Sequence, residues 1–359
     1  MPIRCSVFRG GTSKGLYFHA GDLPHDRPTR DAVLLAAVGS PDSREIDGMG
    51  GGHALTSKVA VVRRSLRDDA DVDYLFLQVW PDRAEVSDVQ TCGNLLAGVG
   101  PFALEEGLVE ATGDTTDVRI WMENTHSLAV ASVQTPGGRV RYEGNTHIDG
   151  VPGAHAPIAI EFLGVAGSTS GSLLPTGHAV DVIDGIRVTC IDNGMPVVCL
   201  KAEEVGLSGY EEPLAIESNR EVCELVERLR LAAGPMMNLG DVTVASVPKM
   251  CLLAPAQHGG TISTREFIPK RVHDAIGVFG ALSVATACLL PGSVAYELAV
   301  RPRDRDVLTI EHPTGYFSVE LDVVVHDGEV EIKHAALLRT ARLLMRGDVF
   351  VPASVWPDA

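Results

Sequence analysis

Short β-branched and apolar runs recur along the chain. Val59-Ala60-Val61-Val62, Tyr74-Leu75-Phe76-Leu77-Gln78-Val79, Ile186-Arg187-Val188-Thr189-Cys190-Ile191 and Phe317-Ser318-Val319-Glu320-Leu321 are each bounded by Gly, Asp or Pro and read as strands. Apolar residues at helical spacing are fewer and predict helices over 30–38, 93–106, 219–232, 276–290 and 335–345. Strands dominate and do not alternate one for one with helices. The pattern predicts an α+β protein and disfavours a doubly wound parallel sheet.

The pattern also echoes itself. Phe8-Arg9-Gly10-Gly11-Thr12-Ser13-Lys14-Gly15-Leu16-Tyr17-Phe18 reads strand, tight turn, strand, and is followed by a Gly-rich helix start at Cys92-Gly93-Asn94. Cys190-Ile191-Asp192-Asn193-Gly194-Met195-Pro196-Val197-Val198 has the same shape, followed by the helix start Gly277-Val278-Phe279-Gly280. Two similar domains account for the echo, and 359 residues exceed the length at which one core usually stops growing. The expected division is 1–182 and 183–359, with the last strand free to return to the first domain. Coincidence between turn-rich segments is the plainer alternative.

Charge narrows the partners. With 47 acidic against 30 basic residues the formal net charge is −17, and aromatic residues make up only 5%. A nucleic-acid backbone needs a basic face and stacking platforms, so nucleic acid is not expected. The longest nearly apolar stretch, 275–290, is too short and too rich in Gly and Ser for a membrane span. Seven dispersed cysteines form no C-x-x-C pair, and residues 1–14 carry Arg9 and Lys14 where a signal peptide would be apolar. A cytoplasmic protein is expected. The 12 histidines show no metal-binding spacing, so no metal is expected, and isolated His53, His178 and His273 read as ordinary polar residues.

Three segments carry candidate chemistry. Cys92 precedes the apolar helix pattern Leu95-Leu96-Ala97-Gly98-Val99-Gly100-Pro101-Phe102, where helix N–H groups would favour a thiolate and hold a carboxylate. Alone, such a cysteine reads more readily as a small buried residue. Thr56-Ser57-Lys58 opens a strand after the Gly-rich run 47–53, which reads as a mobile loop; a lysine held there, partly desolvated, suits a general base. Alone, a strand-end lysine is usually a solvated charge. Arg9, Thr12, Ser13 and Lys14 gather cations and hydroxyls in one turn, a set of donors for carboxylate oxygens. In the second half Arg265, Lys270, Arg271 and His273 precede the Gly277 helix start, and 238–241 forms a turn.

These segments, with Gly39-Ser40-Pro41-Asp42, Met122-Glu123-Asn124-Thr125 and Asn238-Leu239-Gly240-Asp241, resemble the PrpF-type isomerases from about residue 4 to about residue 345. The resemblance implies a diaminopimelate-epimerase-like fold: two pseudo-symmetric α+β domains, each with strands wrapped around a central helix, and an active site in the cleft between them. It implies cofactor-independent movement of a proton on an unsaturated tricarboxylate, with Lys58 and Cys92 as the acid/base pair. The substrate would be held by Arg9, Thr12, Ser13, Lys14, Ser57, Gly93, Asn94, His178, Asn238, Arg265, Arg271 and Gly280. The stretches 98–105, 71–76 and 148–153 look closest to the 4-oxalomesaconate tautomerases and isomerases of gallate-type or protocatechuate-type aromatic degradation.

Thr91 and His178 stand where those tautomerases more often have Asn, and Gly277-Val278-Phe279-Gly280 lacks the second cysteine of two-base epimerases. Isomerisation of aconitate or 2-methylaconitate therefore stays open, as does a non-catalytic role beside an aconitase-like enzyme; amino-acid epimerisation ranks lower. The expected partner is a small tricarboxylate, with a homodimer as the assembly considered.

Overall fold

A tight turn at Gly10-Gly11 folds β1 (Pro2–Gly10) back on β2 (Ser13–His19), with Gly10 opposite Ser13 and Phe8 opposite Gly15. This hairpin starts the first of two units in the computed structural model, which describes residues 1–88, 92–301, 307–326 and 329–356. The first unit comprises Met1–Leu163 with Leu338–Ala359, and the second Gly164–Leu337. The sequence-based boundary after residue 182 falls inside the second unit.

In the first unit α1 (Arg27–Val38) carries the chain from β2 to a parallel neighbour, β3 (Lys58–Arg64). Asp26 caps α1 by accepting from the Thr29 N–H, and Gly39 closes it at φ 93°. Antiparallel β4 (Val72–Val79) follows, flanked by short β5 (Val86–Ser87). A crossover through α2 (Gly93–Leu96) and α3 (Val99–Glu105) leads to β6 (Thr115–Met122), parallel to β4. Antiparallel β7 (Ser127–Gln134) and β8 (Ile158–Leu163) complete the run. The period of two sends alternate residues to opposite faces. Leu16, Phe18, Val59, Val61, Leu77 and Val79 pack on α1. Phe8 and Tyr17 face the other way and meet Phe102 of α3, with ring centroids 4.9–6.2 Å apart.

The helix expected over 93–106 is broken in two. Pro101 has no N–H to donate to the preceding turn, and a Cβ on Gly98 would lie 2.4 Å from the Tyr17 hydroxyl. The helix expected over 335–345 is absent: β16 (Glu329–Arg339) runs into Thr340, and β17 (Ala341–Phe350) pairs antiparallel with β1, Leu343 opposite Phe8. Helix-favouring Ala, Leu and Arg are overridden there because β15 pairs with 335–337, β1 pairs with the residues from Ala341 on, and burial along β17 largely alternates.

The second unit repeats the same pairings. Short β9 (Asp181–Ile183) and then β11 (Pro196–Lys201) pair antiparallel with β10 (Ile186–Asp192). A crossover through α4 (Pro213–Ser218) and α5 (Arg220–Met236) reaches parallel β12 (Lys249–Ala254), and β13 (Ile262–Phe267) returns antiparallel. Then α6 (Val278–Leu289) and α7 (Val294–Leu298) cross to parallel β14 (Val307–His312), followed by antiparallel β15 (Gly315–His326) and β16. Val188, Val198, Met250, Leu252 and Phe267 pack on α5. On the other face runs α6, buried throughout Gly280–Cys288. The strand order hairpin, parallel, antiparallel, parallel thus occurs twice, which accounts for the echo in the sequence.

Among the described residues no helix is long and apolar enough to cross a membrane, and no group of three or more His, Cys, Asp or Glu is placed to hold a metal ion.

Candidate active site

Lys58 is the first residue of β3 and pairs with Gly15 of β2 and Gln78 of β4. Since Val59 and Val61 point to α1, the pleat turns Lys58 towards the α2–α3 side. It is 8% exposed. Its Nζ donates to Gln78 Oε1 at 2.7 Å and lies 5.0 Å from the centre of the Phe76 ring. No carboxylate pairs with it among the described residues. Burial pushes its ammonium below the usual lysine range, and the Cys92 charge acts in the opposite direction. The two groups predicted as the acid/base pair are therefore within electrostatic reach of each other. Gln78 is itself fixed: its Nε2 donates to the carbonyls of Ala54, Ser57 and Val79. A glutamine in the apolar run 74–79 was the only sequence signal for it.

Cys92 is the N-cap of α2, extended at φ −136° and ψ 98°, and its Sγ accepts from the Leu95 N–H at 3.5 Å. With four residues α2 brings local N–H groups and little macrodipole, unlike the long helix expected. The helix is seated by the glycine turn. A Cβ on Gly10 would meet Asn94 O at 2.4 Å, and one on Gly11, at φ 51°, would meet the Asn94 side chain at 2.1 Å. Only glycine lets β1 approach α2 so closely. Asn94 Nδ2 then donates to Thr12 Oγ1 at 3.0 Å, and the Tyr17 hydroxyl donates to Leu95 O. Burial first, and the Cys92 charge second, push the Tyr17 and Tyr74 phenols well above their usual range, so both stay protonated. Thr91 lies outside the described residues.

The donors that the sequence gathers in the first turn do not all face one way. Ser13 is on the Lys58 face, and its buried Oγ has no partner among the described residues. Arg9 and Lys14 are cross-strand partners one residue away, so the pleat sends them to the opposite face. Arg9 Nη1 donates to Gly11 O, Thr340 O and Thr340 Oγ1, although its buried Nη2 has no partner among the described residues. Ser57 Oγ donates to Glu45 Oε2 at 2.6 Å and also contacts His53 O.

Glu45, which the sequence did not single out, organises the Gly-rich run. Its Oε2 also accepts from the Gly52 N–H at 2.7 Å. A Cβ on Gly48 would strike Val38, one on Gly50 would strike Glu45, and one on Gly51 would strike Thr56. These glycines answer a steric demand that the sequence reading did not give them.

In the second unit the predicted residues scatter. Arg265 lies on the α5 face of β13 and donates to Glu211 O and Thr264 O. Arg271 is exposed and pairs with Glu217 at 3.0 Å. Asn238 adopts φ 59° just after α5 and donates to Ser170 O. His178 is exposed, 3.6 Å from Asp181. Gly280 is buried in the first turn of α6, where a Cβ would lie 2.0 Å from Glu266 Oε1. Glu266, also unforeseen, is 1% exposed and accepts from the Gly277 N–H at 2.9 Å.

Residues 1–352 match the PrpF protein family. The chain belongs to that family. Among PrpF relatives, the (4E)-oxalomesaconate Delta-isomerase of Novosphingobium sp. is 60% identical over 348 residues, covering 97% of each chain. The 4-oxalomesaconate tautomerase of Pseudomonas putida is 56% identical over 355 residues, covering 99% of this chain and 97% of its own. The crystal structure of a methylitaconate-delta-isomerase superposes with a TM-score of 0.89 at 33% identity, covering 100% of this chain and 98% of that one. A probable proline racemase, at TM-score 0.51 and 15% identity, shares the fold. The fold class is thus α+β of the diaminopimelate-epimerase type, as the resemblance implied.

Proposed function

We propose that this PrpF protein is an isomerase that moves a proton on an unsaturated tricarboxylate, first of all 4-oxalomesaconate, with Lys58 and Cys92 as its acid/base pair. The observation that carries the reading is the buried Lys58, which has Gln78 rather than a carboxylate as its partner and is electrostatically coupled to Cys92. A lysine in that setting yields its free amine more readily than an exposed one, as a general base must. Relatives at 60% and 56% identity named for 4-oxalomesaconate support the substrate.

In 4-oxalomesaconate the carbon between ketone and alkene is acidic because its carbanion spreads into a dienolate. The Lys58 amine takes that proton and becomes ammonium. The electron pair moves through the conjugated system, and the Cys92 thiol protonates the far end, or the ketone oxygen, leaving a thiolate; proton exchange with solvent resets both groups. The N–H groups of Gly93 and Asn94 and the unpartnered Ser13 hydroxyl hold the developing negative charge.

The test follows absorbance of the conjugated product and deuterium uptake from D2O for wild type, Lys58→Ala and Cys92→Ala. Each variant should lose at least 10²-fold in turnover, on the order expected for removing a positioned acid or base. Wild-type turnover and exchange in both would overturn the assignment. Isomerisation of 2-methylaconitate or 3-methylitaconate is the second reading, favoured by relatives at 33% and 36% identity bearing those names. Relative kcat/KM on the three acids decides between them.

A further inference from the structure

Gln78 stands on β4 directly opposite Lys58 on β3, and the two side chains leave the sheet on the same face. Gln78 is 2% exposed, so its amide must find partners within the protein. Its Nε2 donates to Ala54 O, Ser57 O and Val79 O, each at 3.1 Å, and its Oε1 accepts from Lys58 Nζ at 2.7 Å. The amide can sit only this way round: turned over, its oxygen would face three carbonyl oxygens and its NH2 group would face the amine. Two of the three carbonyls belong to the segment entering β3, and Ser57 O also accepts from the Val79 N–H at 3.1 Å. One side chain thus anchors both the backbone just ahead of Lys58 and the nitrogen at the end of its side chain.

The chemistry of this acceptor matters as much as its place. A carboxylate opposite a lysine favours the ammonium and raises its proton affinity by about 1–3 pH units. An amide oxygen brings no net charge, and it accepts from a neutral amine as well as from an ammonium. With one N–H given to Gln78, the lone pair of the free amine points away from the amide. We propose that Gln78 is a positioning residue for proton transfer: it aims the Lys58 nitrogen through an uncharged acceptor, so that the base is fixed in place without being locked as its ammonium. The inference rests on the reading of Lys58 as a base and adds the residue through which that base is held and tuned.

The other groups around the amine leave this role to Gln78. Tyr17 from β2 and Tyr74 from β4 lie on the same side of the sheet, and burial first, then the Cys92 charge, keeps both phenols protonated and neutral. Cys92 from α2 favours the ammonium, against the larger influence of burial. The first turns of α2 and α3 carry no acidic side chain, and Glu105 and Glu106 at the far end of α3 are engaged by Arg346. Glu45 is held by the Ser57 hydroxyl and the Gly52 N–H. The Phe76 ring, with its centre 5.0 Å from Nζ, adds a weak attraction for the ammonium. Among the described residues Gln78 is therefore the hydrogen-bond partner of Nζ, and it carries no charge.

The experiment takes wild type, Gln78→Glu and Gln78→Met through a pH series with two readouts: kcat/KM for 4-oxalomesaconate, and the rate at which cyanate carbamylates Lys58, followed by peptide mapping. Both rise as the amine loses its proton, so each gives a midpoint for Lys58. Gln78→Glu keeps the shape and adds a charge, and should move both midpoints up by about one pH unit or more. Gln78→Met removes the acceptor that favours the ammonium, so the midpoints should fall below those of wild type, while kcat on the high-pH plateau drops on the order of tenfold or more as the nitrogen loses its aim. A purely structural glutamine would cost stability in both variants and leave the midpoints where they are. Unmoved midpoints in both overturn the proposal. If Gln78→Glu does not fold, Gln78→Met decides alone: a lowered midpoint supports the proposal, and an unchanged or raised one refutes it. Wild-type turnover in Lys58→Ala would instead sink the base assignment, whereas unmoved carbamylation midpoints count against Gln78 whatever the activity.

Discussion

Gly10→Ala should disable the enzyme while leaving it folded. The new Cβ would lie 2.4 Å from Asn94 O and 3.2 Å from Leu95 Cα, whereas ordinary contact begins at 3.4 Å. Two of the three nearest obstacles are backbone, so no side chain can swing away; the third, the Tyr17 hydroxyl at 3.2 Å, is bonded to Leu95 O. The first turn of α2 must retreat by about 1 Å, and Cys92, which caps that turn, moves with it while Lys58 stays on β3. Overpacking of this kind costs about 1–3 kcal/mol, and a misplacement of about 1 Å in a reacting group costs about 10² in rate. The assay is kcat by product absorbance beside urea unfolding, with Gly113→Ala as control, since a Cβ there meets nothing nearer than 3.8 Å. Retention of kcat within about twofold, together with the expected stability loss, would show that α2 can shift without disturbing the chemistry and would refute the coupling of the glycine turn to Cys92.

Two further outcomes follow from burial and hydrogen bonding. Iodoacetamide should modify Cys92 first among the seven cysteines and be slowed by a tricarboxylate: five are buried, and half-buried Cys223 donates to Ile216 O with its thiol pushed upward by desolvation. Peptide mapping that finds Cys223 or Cys5 labelled first would contradict this. Glu45→Ala leaves the Gly52 N–H without its acceptor and the Ser57 hydroxyl with His53 O alone, and should cost about 1–3 kcal/mol in urea unfolding, with Glu45→Gln losing less; a loss under about 0.5 kcal/mol in Glu45→Ala would mean the glycine run holds itself.

Much of the frame was legible because local patterns carry it. Period-two runs placed the strands at Lys58–Arg64 and Val72–Val79, and the twice-occurring strand, turn, strand, helix-start pattern foretold the repeated pairing order. The places of Lys58 at a strand start and Cys92 at a helix start were legible as well.

The sequence alone determined which residues alternate, where the chain must turn, and which motif it shares with the PrpF family. Tertiary structure decided what depends on partners far along the chain. Residues 335–345 carry a helical composition, yet 335–337 pair with β15, and 341–345 pair with β1, more than three hundred residues away in the chain. Arg9 and Lys14 share a turn with Ser13 but face the other way, since a one-residue step along a strand reverses the side chain. The glycines of 48–51 read as freedom and turned out to be steric clearance around Val38, Glu45 and Thr56. Gln78 and Glu266 became significant only when strand pairing and crossover brought them to Lys58 and to the start of α6. Burial and charge at such places are properties of neighbours in space, and one-dimensional periodicity does not contain them.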